Sequence, residues 1–158
     1  MSKKVVPIIT TILIMIIIFA LSGQNSGDSS DLSRGFTAKI IDIIAKEMDS
    51  VQKTDLLLNI HSFIRKCAHF FIYTLLGISS LIMMKNIFTV KPYSKAWTYA
   101  IILCFIYAAT DEFHQLFIDG RSGEIADVLL DTAGSLFGSG IFSALRMLFN
   151  LKRRNDDD

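Results

Sequence analysis

The stretch from Asp111 to Asp131, DEFHQLFIDGRSGEIADVLLD, sets acidic, basic and imidazole groups inside or beside apolar segments long enough to enter a bilayer. A carboxylate near the middle of a membrane helix costs roughly 2.5 to 3.5 kcal/mol on insertion scales, so such a group faces a bundle interior or a wet cavity. A chain built this way has to gather its polar side chains inward while its helices show apolar surface to lipid.

The apolar residues, 51% of the chain, are gathered into blocks rather than spread at the spacing of a soluble core. Lys3 and Lys4 precede an apolar run over 5–21. A cleavable leader is the competing reading of that run, but the block is longer than a usual leader core and Pro7 suits a first helical turn. Ser22 to Ser30 is a polar, turn-rich linker. Phe36, Ile40, Ile43, Ile44 and Met48 then lie opposite Lys39, Asp42, Lys46 and Glu47, the pattern of an amphipathic helix lying on a surface or packed on the loop. Thr54 and Asp55 read as the cap of a short helix over 56–64 that leads into the next span.

The second apolar segment covers 67–88. In the third, Ala96 to Thr110 alone falls short of the roughly 20 residues that cross a bilayer, so Asp111, Glu112 and Gln115 are drawn into the span or its interface. Residues Asp119 to Gly123 form a polar turn, and the fourth segment covers 125–149 before a frayed tail over 151–158. The reading is an all-α integral membrane protein, a single domain over 1–158. It has four transmembrane helices, at about 5–21, 67–88, 96–116 and 125–149, and a short amphipathic helical segment in the first extracytoplasmic loop.

The basic clusters Lys3 and Lys4, Lys85 to Lys95, and Lys152 to Arg154 share one side of that arrangement, so the positive-inside rule makes both termini cytoplasmic. The polar groups of the other ends then gather at the outer leaflet. On the fourth helix Asp127 and Asp131 are one turn apart, and Gly134 and Gly138 extend the same face as a seam for close helix approach. Arg65, His69 and Tyr73 align on the second helix with Lys66 beside them, and Tyr107, Asp111 and His114 or Gln115 align on the third.

Three helices thus aim titratable groups at one pocket. The bland alternative is a set of interhelical ion pairs that only hold the bundle together, strongest for Arg65, Asp119 and Glu124 at the rim.

Carboxylates at Glu112, Asp127 and Asp131 suit a hard cation, Mg²⁺ or Ca²⁺. Zinc fits the sequence less well, because the run Asp111 to Gln115 is not H-E-x-x-H. The net charge of +1 and the lack of a basic patch interleaved with aromatics exclude nucleic acid as a partner. The two cysteines, Cys67 and Cys104, fall at different depths and read as free packing residues. No nucleophile elbow, phosphate loop or dinucleotide fingerprint occurs. A membrane enzyme remains open, with His69, Glu112, Asp127 or Asp131 as its catalytic candidates and a lipid phosphate or ester as its substrate. A purely structural or assembly role is the third reading.

Four pieces in order carry a resemblance: Ser22-Gly23-Gln24, Arg65-Lys66-Cys67-Ala68-His69-Phe70, Asp111-Glu112-Phe113-His114-Gln115, and Gly120-Arg121-Ser122 followed by Asp127 and Asp131-Thr132-Ala133-Gly134. Together they resemble the VanZ family over nearly the whole chain, departing from its pattern where Gly23 stands in place of a serine. The resemblance implies a small four-span protein of the bacterial cell membrane, in a family named for a determinant of teicoplanin resistance. It marks Gln24, Lys66, His69, Glu112, Gln115, Arg121, Asp127 and Asp131 as ligand-binding positions. The partner expected from the convergence of basic and acidic groups at one depth beside lipid is an amphiphile with a polar head: a membrane lipid, a lipid-linked cell-wall precursor or a lipoglycopeptide.

Overall fold

The structure is a computed structural model that describes residues 5–23, 49–86, 92–118 and 123–156. Four helices make up the described part: α1 (Val5–Ser22), α2 (Ser50–Asn86), α3 (Tyr93–Gln115) and α4 (Ile125–Asp156), with no strand among the described residues. Three of them are long and apolar enough to cross a membrane, over Val5–Ser22, Ser62–Asn86 and Ile125–Asn150. α3 does not belong to that set: Tyr93, Ser94 and Lys95 open it and Asp111, Glu112, His114 and Gln115 close it, so the apolar stretch between them is short.

Helix α1 contains no charged residue, and its threonines make no claim on lipid. The hydroxyls of Thr10 and Thr11 donate back to the carbonyls of Val6 and Pro7, each at 2.9 Å. Its outer side shows Ile9, Ile12, Leu13, Ile16 and Phe19, each about half exposed, a face suited to hydrocarbon. Its inner side places Thr11 against Ser79 of α2, hydroxyl to hydroxyl at 2.7 Å, and buries Ile18 among Tyr73, Leu76, Cys104 and Ala108.

The sequence reading broke α2 into a short helix and a span, and the structure makes it one helix of 37 residues, roughly 55 Å at 1.5 Å per residue. The start lies earlier than Thr54. Asp49 Oδ1 accepts the Gln52 N–H at 2.8 Å while Gln52 Oε1 accepts the Asp49 N–H at 3.4 Å, a reciprocal capping box. Between Ser50 and Asn86 the one glycine is Gly77 and there is no proline, so a change from polar to apolar surroundings brings no break. For the same reason α4 continues to Asp156, where a frayed tail was expected from residue 151. The expected amphipathic helix near 36–48 lies outside the described residues.

Helices α2 and α4 make the closest pairing. A methyl group on Gly134 would overlap the Phe70 carbonyl, one on Gly138 the Thr74 carbonyl, and one on Gly77 the Ser135 carbonyl. Glycine is required at all three because the two backbones meet there. Gly140 has open space around it and plays no part in the seam. Between the glycines Ser135 is fully buried and donates to the Tyr73 carbonyl at 3.1 Å, a hydrogen bond across the helices.

Helix α3 packs by a parallel device. Ala96, Ala100, Cys104 and Ala108, four apart and fully buried, form a stripe of small side chains that brings α3 down onto α2. Its opposite side exposes Ile102, Phe105 and Ile106. At one end of the bundle Tyr93 bonds Ser143 at 2.8 Å and lies beneath Lys85 and Arg146. The other end collects the last turn of α1, the Arg65 to Tyr73 part of α2, the last turn of α3 and the first turns of α4. Both cysteines are free, Cys104 buried and Cys67 half-buried.

Candidate functional site

The four-spaced stripe on α3 continues past Ala108 into Asp111, Glu112 and Gln115, so the face that packs the helix also carries its acids inward. All three are buried, at 2%, 5% and 1% exposure. Asp127 and Asp131, one turn apart on α4, are buried at 6% and 0% because the glycine seam that follows them holds their face against α2. From α2, Lys66 and His69 reach into the same space.

A narrow, partly open cleft is lined by Arg65, Lys66, His69, Glu112, Gln115, Asp127, Leu130 and Asp131. Six of the eight positions named from the sequence, Lys66, His69, Glu112, Gln115, Asp127 and Asp131, are thereby brought together. Gln24 and Arg121 lie outside the described residues. His114, one alternative for the aligned face of α3, turns instead toward α1, where its ring stacks on Phe19 with centroids 4.3 Å apart.

The mouth of the cleft is an ion-pair network. Lys66 Nζ is bonded to Asp127 Oδ1 and, at 3.1 Å, to Glu124 Oε2, while Arg65 Nη2 approaches Asp127 Oδ2 at 3.7 Å. The side chains of Arg65 and Lys66 remain about one-third exposed, so both cations are available from outside. Glu112 has a different duty. Its Oε2 accepts the backbone N–H of Glu124 at 3.0 Å and its Oε1 accepts Gln115 Nε2 at 2.9 Å, which ties the end of α3 to the residue before α4.

Deeper in, the network changes character. Asp111 Oδ2 receives the Ser22 hydroxyl from α1 at 2.7 Å and Gln115 Nε2 more loosely at 3.5 Å. Asp131 Oδ2 lies 3.4 Å from His69 Nδ1. One oxygen of each carboxylate, Asp111 Oδ1 and Asp131 Oδ1, is buried with no hydrogen-bond partner among the described residues, as is the Tyr73 hydroxyl. Tyr73 is wholly buried, with its ring beside those of His69 and Tyr107.

The hard-cation set read from the sequence, Glu112, Asp127 and Asp131, is divided by these partners, since Glu112 serves the α3–α4 corner and Asp127 serves Lys66 and Arg65. Among the described residues the group with ligand atoms all within 4.8 Å of one another is His69, Asp111 and Asp131. Sequence reasoning aims Asp111 at the pocket but gives it no ligand-binding, catalytic or metal role. The signal was available in the spacing from Tyr107 through Asp111 to Gln115, three consecutive turns of one face. Ser22 belongs to the first piece of the resemblance, but its partner Asp111, 89 residues away, emerges only from the fold.

A sequence model of the VanZ/LLP1 family matches residues 7–148, which reaches into all four helices and takes in every side chain of the cleft. No curated protein and no solved structure matches.

Proposed function

The chain belongs to the VanZ/LLP1 family, and from that premise we propose a four-span bacterial membrane protein whose cleft binds the polar head of an amphiphile at the outer leaflet. α3 is counted as the third span. Its 23 residues reach roughly 34 Å, about the thickness of the hydrocarbon core, and its acids turn inward while its outer side carries Ile102, Phe105 and Ile106. By the positive-inside rule, the basic clusters at the opposite end of the bundle and at both termini support a cytoplasmic side for those parts and an outward-facing cleft.

The observation that carries the reading is the order of charges in the cleft: two partly exposed cations, Arg65 and Lys66, at the mouth, and buried acceptors, Asp127, Glu112 and Asp131, behind them. That order suits a head that offers an anionic phosphate to Arg65 and Lys66 and sugar hydroxyls or amide N–H groups to the carboxylates. A lipid-linked cell-wall precursor has both features, and its tail would lie along the apolar outer faces of the helices. A lipoglycopeptide such as teicoplanin offers amide and hydroxyl donors too, and capture of either fits a role in glycopeptide resistance.

The test uses the purified protein in nanodiscs of zwitterionic lipid. A lipid-linked wall precursor should bind more tightly than phosphatidylglycerol or phosphatidylcholine, and Lys66→Ala and Asp127→Asn should each weaken it by roughly tenfold, the loss of one charge-assisted hydrogen bond. Equal affinity for all three lipids, or no response to either substitution, would refute the reading.

A further inference from the structure

We propose that His69, Asp111 and Asp131 bind a divalent transition-metal ion, Zn²⁺ or Mn²⁺, at the floor of the cleft. The three side chains come from α2, α3 and α4, and their ligand atoms all lie within 4.8 Å of one another. In a tetrahedral zinc shell, with metal–ligand distances near 2.0 Å, ligand atoms sit about 3.3 Å apart, so small side-chain rotations close the set. One edge is already that length. His69 Nδ1 and Asp131 Oδ2 are 3.4 Å apart, which is long for an N–H···O hydrogen bond.

The second observation is the state of the oxygens. Asp111 and Asp131 are 2% and 0% exposed, and each has one carboxylate oxygen without a partner among the described residues. A buried oxygen left unpaired costs on the order of 1 to 3 kcal/mol, and more when charged. The ion pairs of Lys66 and Arg65 go to Asp127 and Glu124 at the mouth, and among the described residues neither cation is paired with Asp111 or Asp131. A divalent ion cancels both carboxylate charges at once and takes up the unpaired oxygens.

The support behind the ligands has the form a metal site needs. The Ser22 hydroxyl holds Asp111 Oδ2 at 2.7 Å, and the ring of the wholly buried Tyr73 stacks beside that of His69. The donor set decides the metal class. Mg²⁺ and Ca²⁺ prefer shells made of oxygen alone, whereas one imidazole nitrogen with two carboxylates suits Zn²⁺ or Mn²⁺. The proposal stands apart from the amphiphile reading, because ion binding can be measured with no lipid ligand present.

The experiment starts from the full-length chain purified in detergent, stripped with chelator and titrated with Zn²⁺, Mn²⁺, Mg²⁺ and Ca²⁺ by calorimetry. Co²⁺ serves as a visible stand-in whose ligand-field absorption reports nitrogen and oxygen ligands. The expected result is a single ion per chain, with Zn²⁺ or Mn²⁺ at least about tenfold tighter than Mg²⁺ or Ca²⁺. His69→Ala and Asp131→Asn should each weaken binding by about tenfold or more, and Ser22→Ala by a smaller factor. Tyr93→Phe, at the opposite end of the bundle, should leave it unchanged. Absence of binding to the wild-type chain overturns the proposal even where a variant fails to fold. So does Mg²⁺ or Ca²⁺ affinity equal to that of Zn²⁺, or retention of full affinity by a folded His69→Ala chain.

Discussion

Each acid of the cleft is given a different task by its neighbours. Asp127 neutralises Lys66 and Arg65, Glu112 holds the corner between α3 and α4, and Asp111 and Asp131 cluster with His69, ligand atoms within 4.8 Å of one another. The Glu112 contact has a measurable consequence. Glu112→Ala removes the acceptor of the Glu124 N–H, so the first turn of α4 should open more often. Amide exchange at Glu124 should quicken, and the chain should lose about 1 kcal/mol of stability, the usual net contribution of one hydrogen bond. An unchanged exchange rate at Glu124 would show that the corner is held by something else.

Packing of the elements depends on small side chains. α3 meets α2 through alanines and Cys104 spaced by one turn, and α4 meets α2 through glycines whose missing Cβ leaves room for a backbone carbonyl. Gly138→Ala should push α4 away from Thr74 and lower stability by roughly 1 to 3 kcal/mol, the range for overpacking. Gly140→Ala, with open space around it, should leave the unfolding midpoint where it was or raise it slightly. Unfolding of the two variants in mixed detergent micelles checks the contrast. Equal effects at both positions would mean that the seam does not control the packing.

At the scale of the whole molecule, antiparallel connection of four helices sends the last turns of α1 and α3 and the Arg65 to Tyr73 and Asp127 to Asp131 parts of α2 and α4 to one end. Two buried carboxylates and a histidine inside a bundle this small are affordable only because three helices share them. The proposed orientation has its own test. With Cys67 and Cys104 both replaced by alanine, Phe117→Cys should react with a membrane-impermeant thiol reagent in intact cells, and Ser94→Cys should react only after lysis. The reverse pattern would turn the cleft toward the cytosol and remove the outer-leaflet reading.

The sequence by itself determined what depends on local chemistry. Apolar blocks set three helices that can cross a membrane, the four-residue spacing of Asp127, Asp131, Gly134 and Gly138 set the inward face of α4, and the ordered motifs pointed to the family that residues 7–148 match. The unbroken length of α2 is legible too, in its lack of proline, although the change in polarity near residue 65 mimics a boundary. Only the tertiary structure decided which carboxylate faces which partner. Ser22 and Asp111 are 89 residues apart, and His69 and Asp131 are 62 apart. Periodicity fixes the face on which a side chain lies, but how deep neighbouring helices slide past one another fixes what it meets, and that depth is set by packing of glycines and alanines against a backbone far away in the chain.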